Sequence, residues 1–161
     1  MGPKGDCAVQ WLKELLTNRF LLTGLSSWFI AQVLKVIIFA CINRKLDWER
    51  LVGDGGMPSG HSATVSSLST AALLNFGPGS FEFAVTAVVA VIVCHDAMGV
   101  RHEAGKQAAV LNELIKTLEL FDIKRLPTVT LKEFVGHTPI QVTAGILIGI
   151  CNALVMHFFV F

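Results

Sequence analysis

The strongest chemical signal in this chain is the run Gly55-Gly56-Met57-Pro58-Ser59-Gly60-His61-Ser62-Ala63. It is rich in glycine and ends where an apolar helix is expected to begin. The first turn of a helix carries backbone N–H groups without internal partners, at the positive end of the helix dipole. Such a turn binds anions, phosphate above all. Glycines let the backbone come close to the ligand, so Ser59 and Gly60 are candidate phosphate-binding residues. His61 adds a group that can give up a proton near neutral pH. A second histidine stands in a matching place. His137 precedes Thr138-Pro139-Ile140-Gln141, which reads as a capping box with proline at the favoured first helical position. One histidine at a helix end is ordinarily just solvated. Two in matching positions, one behind Pro-Ser-Gly, favour function.

Charged and amide side chains complete the candidate set. Lys35 lies inside an apolar segment, where a lysine costs about 2.5–3.5 kcal/mol. It could snorkel to the surface. Gln32, three residues earlier, shares its helical face, and a polar face of Gln32 and Lys35 turned into a bundle is the sharper reading. Farther on, Asp96 and Arg101 fall near the end of another apolar run. As an interfacial ion pair they would contribute little. As site residues, the planar fork of Arg101 clamps phosphate and Asp96 orients a histidine. Metal chemistry fits poorly. His102-Glu103 lacks the last histidine of HExxH, no Cys or His pair has zinc spacing, and no GxxxxGK[ST] loop occurs. No metal and no other cofactor is expected.

These residues have to be held by membrane elements. The chain of 161 residues is 53% hydrophobic and 16% charged, against about 25% charged for soluble domains. A net charge of +1 points to no nucleic-acid partner. The four cysteines show no pairing pattern, and those in apolar stretches read as small hydrophobes. The start of the chain lacks the features of a secretory signal. Phe20 to Ile42 and Pro139 to Phe161 are each long enough to cross a bilayer. Ser62 to Phe76 and Ser80 to Cys94 are shorter and are separated by the turn Gly77-Pro78-Gly79. Core helices of a soluble protein would be equally short, but the two long segments already commit the chain to a membrane. The expected architecture is all-α: a polytopic membrane bundle of about four transmembrane helices, forming one membrane domain over residues 1–161.

With four crossings, segments 43–61 and 95–138 share one side and carry nine Lys and Arg residues, against three on the other. That asymmetry places both larger loops, and the glycine-rich run, in the cytoplasm. Residues 102–136 form the cytoplasmic helical loop, in which Glu103 to Phe121 reads as an amphipathic helix. Thr130 to Glu133 fits a further capping box and Gly136 a stop. Gly145 and Gly149 form a GxxxG pattern, suited to close packing either within the chain or in a homodimer.

Taken jointly, several motifs resemble the type 2 phosphatidic acid phosphatase and vanadium haloperoxidase family, and more closely its small divergent membrane subfamily. They are Ala31 to Lys35, Gly55 to Ala63, Asp96 to Arg101, Ala104 to Ala108 with Leu111-Asn112, and Gly136 to Pro139 with Val142 and Gly145. The resemblance implies that His61 protonates the leaving group, that His137 attacks phosphorus to form a phosphohistidine, and that Lys35 and Arg101 bind phosphate oxygens. It also shows departures. Lys35 is followed by Arg44 without the family's Lys-x6-Arg-Pro spacing, and Leu131 stands where an arginine would precede the nucleophile by six residues. Arg101 can serve only if residues 102–131 loop out and return. Gln141 replaces an aspartate; an amide can orient an imidazole but cannot balance its positive charge as a carboxylate does.

The implied function is that of a membrane phosphatase. It would hydrolyse a lipid phosphate or pyrophosphate monoester, with a phospholipid or isoprenoid phosphate as substrate, at the cytoplasmic face. The alternative is a non-catalytic membrane protein that binds or translocates a phosphorylated lipid or anion.

Overall fold

The computed structural model describes residues 3–44, 56–120, 131 and 136–161, without the side chains of 3–8, 101–102 and 118–120. Every regular element among them is helical. They are α1 (Pro3–Leu16), α2 (Arg19–Asn43), α3 (Gly60–Phe76), α4 (Phe81–Met98), α5 (Val100–Leu120) and α6 (Pro139–Val155), the last continued by a π-helical turn over Met156–Val160. Local chemistry sets the boundaries. Asn18 caps α2 by accepting from Phe20 and Leu21 N–H at 3.0 and 3.1 Å. Ser80 caps α4 by accepting from Phe83 N–H at 3.2 Å. Gly77, at φ +83°, ends α3 in a backbone conformation that glycine adopts without strain.

The protein is an all-α membrane bundle. Among the described residues, three stretches are long and apolar enough to cross a bilayer: Arg19–Asn43, Phe81–Thr117 and Pro139–Val160. They contain three of the four expected crossings. The fourth, Ser62 to Phe76, is α3, which at 17 residues is shorter than the usual span of about 20. It lies at the centre of the bundle, packed against α2, α4 and α6. Protein, rather than lipid, covers much of it, so its many hydroxyls are tolerated. Those hydroxyls bond back to the helix: Ser66 to Ser62 C=O at 2.6 Å and Thr70 to Ser66 C=O at 2.8 Å.

Small residues bring α6 against α3. A Cβ on Gly145 would run into the Ser59 carbonyl, and one on Gly149 into the Ala63 carbonyl and Ser66 Oγ. The GxxxG pattern is therefore engaged within the chain, against α3. An amide joins α6 to α2: Asn152 donates to Ser27 Oγ at 2.7 Å, Ser26 Oγ at 2.9 Å and Thr23 C=O at 3.3 Å. Amide bonds of this kind between helices hold them together where the hydrophobic effect does not. The capping box expected at Thr130 to Glu133 falls outside the described residues apart from Leu131.

Candidate phosphate site at the starts of two helices

The two helix starts are tied together directly. Ser59 caps α3, its Oγ accepting from Ser62 Oγ at 3.0 Å and from Ser62 N–H at 3.4 Å. Its own N–H donates to the Gln141 carbonyl in the first turn of α6, at 3.0 Å. So the residue two positions before His61 touches the residue four positions after His137. His61 is exposed in the first turn of α3, while His137 is buried at 5% exposure just before α6.

Gln141 does two things at once. Its Oε1 lies 3.1 Å from Thr138 N–H, closing the capping box from the side-chain end, and 3.2 Å from Nδ1 of His137. An amide oxygen only accepts, so in neutral His137 the proton sits on Nδ1 and the lone pair on Nε2. This is the tautomer an attacking imidazole needs. As an amide, Gln141 orients the ring without itself carrying a charge.

From α2 come Lys35 and Gln32, both turned into the bundle at 4% and 6% exposure. The methylenes of Lys35 run beneath Gly56, where a Cβ would sit 3.3 Å from Cγ and Cδ. Gly56 also has φ +90°, so two independent reasons require glycine there. Gly60 is crowded in the same way by Trp28 and by the Gln32 carboxamide, at 3.3 and 3.9 Å from its Cβ position. The Oε1 of Gln32 is buried with no hydrogen-bond partner. An unsatisfied buried oxygen costs about 1–3 kcal/mol. Turned over about its last bond, the same carboxamide would present N–H donors beside the α3 N-terminus. Trp28 escaped the sequence reading, although the spacing Trp28, Gln32, Lys35 is that of one helix face.

The polar loop returns to where it left. His137 N–H donates to the Ala97 carbonyl at the end of α4, at 3.0 Å. That bond brings together the two ends of the segment 98–136, which contains Arg101. Asn112 of α5 helps close it, donating to Leu131 C=O at 2.8 Å and accepting from Leu131 N–H at 2.9 Å. Leu131, standing where an arginine would be expected, is held there by its backbone. Arg101 itself lies in the first turn of α5, four residues beyond Ala97; its side chain is outside the described residues. Asp96 is half-buried in the last turn of α4, next to Ala97. Gly55, expected as part of the glycine-rich run, is also outside the described residues.

These features define an all-α integral membrane protein, with a candidate polar site that includes His137 at one end of its bundle. The chain belongs to the Divergent PAP2 family, whose model matches residues 16–152. It is also similar to an uncharacterized membrane protein, YuiD, of Bacillus subtilis (strain 168). The two are 46% identical over 155 residues, covering 91% of this chain and 98% of the relative. No solved structure matches the chain.

Proposed function

We propose that this protein is a membrane phosphatase that hydrolyses a lipid phosphate or pyrophosphate monoester through a phosphohistidine. The observation that carries the reading is the meeting of buried Gln32 and Lys35 with the Gly56–Gly60 backbone, one hydrogen bond away from the helix start that holds His137. Lys35, Arg101, Gln32 and the amides around Ser59 and Gly60 hold the phosphoryl oxygens and neutralise the charge that grows on them. Nε2 of His137 attacks phosphorus while the bond to the leaving oxygen breaks, and His61 gives that oxygen its proton. Water then attacks the phosphohistidine, His61 takes its proton, and inorganic phosphate leaves. Asp96 and Gln141 orient the imidazoles. No step calls for a metal. The substrate is a phospholipid or isoprenoid phosphate whose chain lies among the helices.

In this reading residues 1–161 form one unit crossing the membrane four times, with α3 as the sheltered crossing. The nine-to-three distribution of basic residues puts the site and the loop 102–136 in the cytoplasm. One observation favours a second reading, a protein that binds or translocates a phosphorylated lipid without cleaving it: Gln141 supplies a neutral amide where a carboxylate would balance an imidazolium.

The test is phosphate release by purified protein from phosphatidic acid, lysophosphatidic acid and a prenyl pyrophosphate, beside His61→Ala and His137→Ala. Phosphatase action requires release that both substitutions abolish, and acid-labile phosphate trapped on His137. Release no greater than that of the variants, with lipid still retained, would establish the second reading.

A further inference from the structure

The first helix, α1, contributes nothing to the site and has no substantial packing partner among the described helices. Its described side chains nevertheless divide cleanly. Val9, Trp11, Leu12, Leu15 and Leu16 fall within an arc of about 160° at 3.6 residues per turn, and all are exposed, Trp11 to 71%. The opposite side carries Gln10, Lys13, Glu14 and Thr17. There Gln10 donates to Glu14 at 3.0 Å and the Thr17 hydroxyl to Lys13 C=O at 2.8 Å.

What covers the apolar half follows from where α1 is attached. Only Thr17 and Asn18 separate it from α2, and Asn18, at ψ 109°, breaks the helix rather than continuing it. The junction lies at the end of the bundle away from the phosphate site, about 24 Å along α2 from Lys35 at 1.5 Å per residue. Groups typical of a membrane boundary gather there. Arg19 donates to Asn75 at 3.1 Å and sits 5.8 Å from the centre of the Phe161 ring. Phe20 stacks on Phe76 with centroids 5.3 Å apart. A cationic side chain at the end of an apolar span, its stem against aromatic rings, places its head at the level of the lipid head groups. An amphipathic helix leaving the bundle at that level meets the bilayer surface first.

We infer that α1 is an interfacial helix, lying in the plane of the membrane on the face opposite the phosphate site with Trp11 and its apolar neighbours among the lipid chains. Its polar half, with Lys13 and Glu14, faces water. The inference is independent of the proposed catalysis.

Trp11 supplies the probe. The full chain is reconstituted in phosphatidylcholine vesicles with bromines either near the head group or at the chain ends. Trp11→Phe leaves Trp28 and Trp48 in place, so the difference in emission between the two proteins isolates Trp11. The expected difference spectrum is blue-shifted and quenched at least twofold more by shallow bromines than by terminal ones. Leu12→Glu with Leu16→Glu should shift that component to the red and remove most of its quenching. A component untouched by either bromolipid would mean that Trp11 faces water or protein. Stronger quenching by the chain-end bromines would mean that α1 inserts as a span. Either result overturns the inference.

Discussion

At the scale of single residues the decisive contact is between His137 and Gln141. One amide oxygen serves both the imidazole Nδ1 and the N–H that begins α6, so helix capping and the proposed catalytic role share an atom. Gln141→Leu removes both bonds. Loss of about 1–3 kcal/mol of hydrogen bonding corresponds to a fall of roughly tenfold to a hundredfold in phosphate release. Gln141→Glu keeps both acceptor roles and adds the charge that an imidazolium attracts, so its release should equal or exceed that of the unchanged protein. Steady-state phosphate release from phosphatidic acid measures both. A Glu variant as poor as the Leu variant would take Gln141 out of the orienting role. Lys35→Met keeps the methylenes that pack under Gly56 while removing the charge. Calorimetric titration should show phosphate-headgroup affinity falling with the fold intact.

Among the elements, α3 sets the geometry. It holds His61 at its first turn and receives α6 along Gly145 and Gly149, and this close approach lets Ser59 reach the Gln141 carbonyl. Gly149→Ala puts a Cβ against the Ala63 carbonyl and Ser66 Oγ, backbone and a bonded hydroxyl that cannot simply turn away. Overpacking costs about 1–3 kcal/mol, and in a chain of this length each kcal/mol lowers the melting temperature by about 2–4 °C. Gly79→Ala is the control, because no atom lies within 4 Å of its Cβ position. Thermal unfolding in detergent should separate the two variants; equal melting temperatures would mean that α6 does not depend on this close approach.

For the whole molecule the open quantity is orientation. The proposed four-crossing topology sends the Gly77-Pro78-Gly79 turn to the face opposite the loop carrying Lys106. A membrane-impermeant maleimide applied to intact cells should label Gly79→Cys, and Lys106→Cys only after permeabilisation, in a background with the native cysteines replaced. Labelling of both from outside would require a different number of crossings. The reverse pattern would invert the protein and place the proposed phosphate site outside the cytoplasm.

Local chemistry alone was enough for much of this protein. Apolar length specified α2 and α6, capping residues specified where α6 begins, and Pro-Ser-Gly-His marked the start of α3, because each of these depends only on neighbours within a turn or two of the chain. The amphipathic α5 was legible for the same reason. Other features depend on residues distant in sequence. Lys35 on a lone helix could as well snorkel as turn inward; it is buried because Gly56 leaves space for its methylenes. A GxxxG pattern does not state its partner, and here the partner is the carbonyl-lined face of α3. Nothing in the spacing of Asp96 and His137 shows that the chain returns after Ala97, since the closing bond joins backbone atoms and leaves no trace in residue type. Residue type and spacing alone specify a helical membrane chain with two histidines at helix starts. That those starts are hydrogen-bonded to each other follows from packing, because α3 and α6 come that close only where glycine removes the side chain between them.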